Sequence, residues 1–251
     1  MRLSVEVLEG RDTPAPFNYG PHPIDAFYAF PTADGRPIPG FDGPVQQAFC
    51  DVNRDGWADE VYFAGPGGSA REVVYSGRPG PSEVLASRFV FGRDRFDDTF
   101  RGGVTAAEGF DTDGDGVPDT LVASPGVGGG AVLYVDGPGG VRQIQVGPDD
   151  YRRGVLALDG FRLPGSPVQD VEAILDGGAG PVLVQASAAG DILASVYLPP
   201  GYDTFLPAAQ GVPVDGVPTF GVQRGDDPAT TRLFDAAGGV HHVAPLGPVG
   251  G

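Results

Sequence analysis

Residues 102–137 read GGVTAAEGFDTDGDGVPDTLVASPGVGGGAVLYVDG, and this stretch decides the fold. At its centre is an acidic loop, Asp111 to Asp119, of the form D-x-[DN]-x-D-G-x-x-D. On either side lie short apolar, β-branched and aromatic runs with the content of strands: GVTAA before the loop, TLVAS and AVLYV after it. An upstream copy spans residues 43–68, GPVQQAFCDVNRDGWADEVYFAGPGG, followed by REVVYSGRPG, with Asp51 in the place of Asp111. A third copy is read from its flanks. FRGGVTAAEGFD (Phe100 to Asp111) aligns with YRRGVLALDGFR (Tyr151 to Arg162), and PVLVQASAAG stands where AVLYVDGPGG stood. A fourth is more degenerate: Tyr202 to Val212 echoes Phe96 to Val104, and Thr230 to Gly239 echoes the AVLYVDGPGG segment.

Each unit of about 50–60 residues thus carries four short strands. The first is VQQAF, GVTAA or GVLAL and the second EVYFA, TLVAS or EAILD. The third is EVVYS, AVLYV or VLVQA, and the fourth EVLASRFVF, VRQIQV or ILASVYL. Four antiparallel strands per repeat is the arithmetic of a β-propeller blade. The expected fold is all-β, a propeller of about four four-stranded blades, some degenerate. A fifth is allowed for by DAFYAF at Asp25 to Phe30, which resembles SRFVFG at Ser87 to Gly92 and either completes the last blade or is a remnant of another. An open sheet of some sixteen strands exceeds the usual range, and a β-solenoid normally has a much shorter repeat. The expected organisation is a targeting-like or flexible segment over 1–20, the propeller over 21–247 and a tail over 248–251.

The composition agrees. Gly 42 and Pro 26 disfavour helix, and no apolar run is long enough for a membrane-spanning helix. The net charge of −17, with no lysine in the chain, repels nucleic acid and anionic lipid and suits cations. Cys50 is alone, so no intrachain disulfide forms, and it reads as a small buried hydrophobe. At the N-terminus, Glu6 and Glu9 interrupt the apolar residues that a secretory signal would need.

The acidic loops carry the chemistry. Asp51, Asn53 and Asp55, and in the second loop Asp111, Asp113 and Asp115, place oxygens at positions 1, 3 and 5, where they can curl around a hard cation. Gly56 and Gly116 at position 6 permit the turn, the carbonyls of Trp57 and Val117 supply position 7, and Asp59 and Asp119 supply position 9. Ca²⁺ accepts six to eight such oxygens, whereas Mg²⁺ prefers octahedral geometry with retained water. Position 12 is Tyr62 or Val122, not the Glu of an EF-hand, and strand-like sequence follows. In the third unit the ligands become Arg162, Pro164 and Ser166, with Asp170 kept, and the fourth deletes the loop. Two Ca²⁺ ions are therefore expected, each clamping the turn between a blade's first two strands.

Arg224-Gly225-Asp226 reads as a chance tripeptide, His241-His242 as an edge pair, and Asp97-Asp98 and Asp149-Asp150 as solvated turn acids. Trp57, the one tryptophan, is expected to pack beside the first ion.

The matched residues resemble the FG-GAP / VCBS-type repeats of integrin-like β-propellers, in the form abundant in planctomycetes. They are Phe100, Gly102, Gly103 and Val104, the D-x-D-x-D-G-x-x-D loop, and Val132 to Gly137. Leu8, Glu9, Gly10, Arg11 and Pro14 are also similar to a short N-terminal motif of planctomycete proteins. The resemblance covers most of Asp25 to Leu246 and departs at Phe49-Cys50 and in the later loops. It implies calcium-dependent scaffolding, adhesion or interaction with a protein or glycan outside the cytoplasm. No catalysis, nucleic acid or membrane insertion is expected, and the protein is expected to be a monomer. The other class weighed is a propeller enzyme, a polysaccharide lyase or glycoside hydrolase, with acids converging on the axis.

Overall fold

The computed structural model describes residues 43–241 apart from 82, 92–99, 162–168, 188, 206–211, 215 and 225–226. Residues 1–20, the Asp25 to Phe30 segment, Asp97-Asp98, His242 and the tail at 248–251 lie outside the described residues.

The described chain is all-β and forms four antiparallel sheets. The first holds β1 (Val45–Cys50), β2 (Asp59–Ala64), β3 (Arg71–Tyr75) and β4 (Val84–Phe89), in that order. The second repeats it with β5 (Val104–Phe110), β6 (Thr120–Pro125), β7 (Val132–Gly137) and β8 (Gly140–Gln145). The third holds β9 (Val155–Phe161), β10 (Asp170–Asp176), β11 (Pro181–Ala186) and β12 (Ile192–Tyr197). The fourth comprises β13 (Tyr202–Phe205), β14 (Val212–Val214), β15 (Val217–Arg224), β16 (Asp227–Asp235) and β17 (Val240–His241). The repeat seen in the sequence is therefore one four-stranded meander.

The fourth sheet departs from the expected alignment. Tyr202 to Phe205 is a strand, not a lead-in, and both it and β14 pair with β15, so the inner position is shared by two short strands. Val214 pairs with Val217, and Gly216 just before it has φ 82°, a conformation open to glycine. This hairpin is the structural form of the deleted acidic loop.

Strand position explains sequence character. The second strands β2, β6 and β10 are buried on both faces and read as nearly continuous apolar runs. The fourth strands β4, β8 and β12 lie at the sheet edge and carry exposed positions. Among the described residues a core cluster lies at each of the three junctions between successive sheets, and a smaller one, Tyr62, Ala64 and Val73, lies on the other face of the first sheet. Cys50, Val61, Phe63, Leu121 and Tyr134 fill the first, Phe110, Val122, Leu133, Val171 and Val184 the second, and Phe161, Ile174, Leu183, Phe220 and Phe234 the third. Each fully buried large side chain contributes about 1.5–3 kcal/mol of transfer free energy.

The first strands β1, β5, β9 and β13 contact one another in that order, so the sheets are arrayed in series through their inner strands. Glycine makes that approach possible: a Cβ on Gly109 would strike the Phe49 carbonyl, and one on Gly160 would strike the Phe110 ring. The loops joining first to second strands consequently meet. Asp51 N donates to Pro118 O at 2.8 Å, and Gln169 N donates to Asp111 O at 3.1 Å.

Candidate metal centre

Both acidic loops follow β strands whose register ends at the first aspartate. In the first sheet Cys50 pairs with Asp59, and in the second Phe110 pairs with Thr120. The excursion between them, residues 51–58 in the first loop and 111–119 in the second, is then closed by its own side chains. Asp51 Oδ2 accepts from Gly56 N at 2.7 Å, and Asp111 Oδ2 accepts from Gly116 N at 3.1 Å. Asn53 Oδ1 accepts from Asp55 N at 3.0 Å, and Asp113 Oδ1 accepts from Asp115 N at 3.1 Å. Asp55 Oδ1 accepts from Trp57 N at 3.0 Å, and Asp115 Oδ1 accepts from Val117 N at 2.8 Å. The two loops thus share one internal bonding scheme. Gly56 and Gly116, at φ 85° and 94°, supply the left-handed turn common to both.

Position 9 has a different task from the other acids. Asp59 is fully buried; its Oδ2 accepts from Val52 N at 3.1 Å and its Oδ1 from Gly77 N at 3.0 Å. Burial raises its pKa while those backbone donors oppose the rise. Asp119 Oδ1 accepts from Thr112 N at 3.1 Å and Thr112 Oγ1 at 2.6 Å. Its Oδ2 is buried with no hydrogen-bond partner. Both side chains therefore fasten the loop's start to its end.

The second loop brings its acids together. Asp111 is buried, Asp113 and Asp115 are exposed, and one carboxylate oxygen from each lies within 4.8 Å of the others. Such an all-oxygen set could hold a metal ion, and it suits a hard cation. Without one, each pair of carboxylates repels by roughly 1–4 kcal/mol at this range, depending on local dielectric. In the first loop Arg78 has entered: its Nε lies 2.6 Å from Asp55 Oδ2, so part of the loop's negative charge is met by protein. Arg54 Nη2 also donates to Gly137 O at 2.7 Å, tying the first loop to the second sheet. In the third loop Gln169 Oε1 accepts from Asp111 N at 2.9 Å, so the degenerate unit braces its neighbour's site. Arg162, Pro164 and Ser166 lie outside the described residues.

The remaining sequence candidates resolve differently. Cys50 is fully buried in the first core; burial and the surrounding carboxylates push its thiol far above the ordinary range, which leaves it no nucleophile. Trp57 is 42% exposed rather than packed away. His241 Nε2 lies 2.9 Å from Asp235 Oδ2. Gly225 and Asp226 of the Arg-Gly-Asp tripeptide lie outside the described residues. Sequence reasoning did not single out Arg78, Gln169 or the fully buried acids Glu72 and Glu172. The acids had a visible signal, a charged residue inside an apolar strand, in REVVY and DVEAILD.

Comparison with known proteins adds no identity: no family model matches the chain, and no curated protein matches it. Among the described residues, no helix is long and apolar enough to cross a membrane.

Proposed function

We propose that this protein is a noncatalytic, calcium-stabilised β-propeller module that works outside the cytoplasm as a scaffold or adhesion surface for a protein or glycan partner. The observation that carries the reading is the convergence of Asp111, Asp113 and Asp115, three oxygen donors on one turn joining a sheet's first two strands. Serial four-stranded meanders packed through their inner strands support the propeller, since blades pack in this way. The cation's contribution is electrostatic: it neutralises the crowded carboxylates and pins the turn, and a ligand bound only by the folded chain adds stability by mass action. Asp51, Asn53 and Asp55 form the second site, weakened relative to the first-named one by the amide at Asn53 and the ion pair to Arg78.

Calorimetric titration of chelator-stripped protein with Ca²⁺ tests this. Two sites per chain are expected, the tighter lost in Asp115→Ala and the weaker in Asp55→Ala. Absence of binding heat together with an unchanged melting temperature would reduce both loops to turns and remove the basis of the reading.

A further inference from the structure

The two acidic loops differ in what answers their carboxylates. Position 9 shows it first. In the first loop both oxygens of Asp59 are hydrogen-bonded, Oδ2 by Val52 N and Oδ1 by Gly77 N. In the second loop Asp119 Oδ1 accepts from Thr112, but Oδ2 is buried with no hydrogen-bond partner. Gly77 belongs to the turn between β3 and β4, and that turn lies hard against the loop. A Cβ on Gly77 would stand 1.9 Å from Ala58 O, so only glycine permits the approach. The next residue, Arg78, puts its Nε 2.6 Å from Asp55 Oδ2.

The second sheet has no such device. Its corresponding turn reads Gly137-Pro138-Gly139-Gly140, with proline where the first has Arg78. Gly137 pairs with Gly140, so the turn is closed in two residues. Among the described residues, Asp115, the counterpart of Asp55, has no ion-pair partner. At position 4 the first loop carries Arg54 at φ 60°, where the second carries Gly114 at φ 88°. Arg54 Nη2 donates to Gly137 O at 2.7 Å, which engages that guanidinium on the neighbouring sheet. Arg78 is therefore the cation that meets the first loop's oxygens.

A carboxylate oxygen held in a charge-assisted hydrogen bond is a poorer metal ligand, and a guanidinium beside the site repels a divalent cation. The Arg78 side chain is 61% exposed, so water is open to it when it leaves. We propose that Arg78 is a built-in counter-ion of the first loop that Ca²⁺ must displace, so that filling this site frees the β3–β4 turn from Asp55. The inference rests on the calcium reading above. It sets an order of filling. The second loop, with an orphaned oxygen on Asp119 and no arginine on Asp115, takes its ion first. The first loop is held by Arg78 and Gly77 when calcium is scarce, and its ion enters by expelling the guanidinium.

Calorimetric titration with Ca²⁺ of Asp115→Ala protein, which isolates the first loop, tests the exchange with and without Arg78→Gln. Arg78→Gln should raise the affinity about two- to fivefold, the range that an exposed ion pair supports. Arg78→Lys keeps the charge and should stay near the parent. If Asp115→Ala does not fold, the weaker of the two sites in the full chain gives the same comparison. Nitrogen-15 NMR of wild type follows the Arg78 Nε–H itself. Its exchange with water should quicken in saturating Ca²⁺ and slow again in chelator. An Arg78→Gln affinity equal to or below the parent's, or an Arg78 Nε–H signal that is the same in both conditions, would overturn the exchange and leave calcium binding standing. Absence of binding heat in wild type and every variant would remove the calcium reading and the exchange together.

Discussion

Arg88 is the most informative single residue to remove. It reaches from β4 to Glu72 on its own sheet and to Asp136 on the next, so one guanidinium joins two carboxylates across a sheet junction. It also lies 5.7 Å from the centre of the Tyr134 ring. Glu72 is fully buried, and its Oε1 has no hydrogen-bond partner. Burial raises the Glu72 pKa to about 7 even though Arg88 opposes the rise. Arg88→Met keeps most of the aliphatic stem and deletes the charge. Above about pH 8, breaking a buried pair costs about 3–5 kcal/mol, because Glu72 is left ionised or must take up a proton. Near pH 5 Glu72 is protonated already, and the loss falls to hydrogen bonds and the ring contact, about 1–2 kcal/mol. The raised pKa fixes the sign: the stability tied to the Glu72 proton is full below its ordinary value and is lost as pH climbs to about 7. The variant should therefore be hurt more at the higher pH, by about 2 kcal/mol, or roughly 4–8 °C in Tm for a domain of this size. Urea unfolding at the two pH values, at constant calcium, measures this. Equal losses at both would refute the assignment of Glu72 as the titrating partner.

Phe110→Ala should cost about 3–5 kcal/mol in chemical denaturation, because the ring is fully buried between the second and third sheets. Gly160→Val should also destabilise, since its side chain would occupy the place of that ring. Gly116→Ala, at φ 94°, should lose about 1–2 kcal/mol and weaken Ca²⁺ binding measured by calorimetry, because the second loop's turn requires the left-handed conformation. Chelation should lower the melting temperature, with Ca²⁺ at about a hundred times its dissociation constant restoring about 2.7 kcal/mol. Cys50 should resist a thiol reagent in the native protein and react fully in denaturant, as its complete burial requires.

The repeat was legible because each strand's burial is fixed by its place in the meander. A second strand covered on both faces must be apolar throughout, which is why EVYFA, TLVAS and EAILD align without help from their neighbours. The two loops were legible because a turn that crowds oxygens onto one point needs Asp or Asn at alternate positions and glycine at the sixth. The fourth unit was read less well. Its inner position is shared by two short strands, and Tyr202 to Phe205 gains its place by pairing with β15, a partner some twenty residues away.

Sequence alone determined the all-β class, the four-stranded period, the paired acidic loops and the loss of the loop from the fourth unit. All of these follow from local rules of periodicity, turn geometry and donor spacing, which operate within a few residues. Tertiary structure decided what those rules do not reach. It set Arg78 on Asp55, Gln169 on the backbone of Asp111, and Arg88 between Glu72 and Asp136. It also set Glu172 opposite Asp159 and Gln185 across the third sheet. The physical reason is that charge and burial depend on distance through space. Strands far apart in the chain must be stacked before a carboxyl acquires its partner or is left without one.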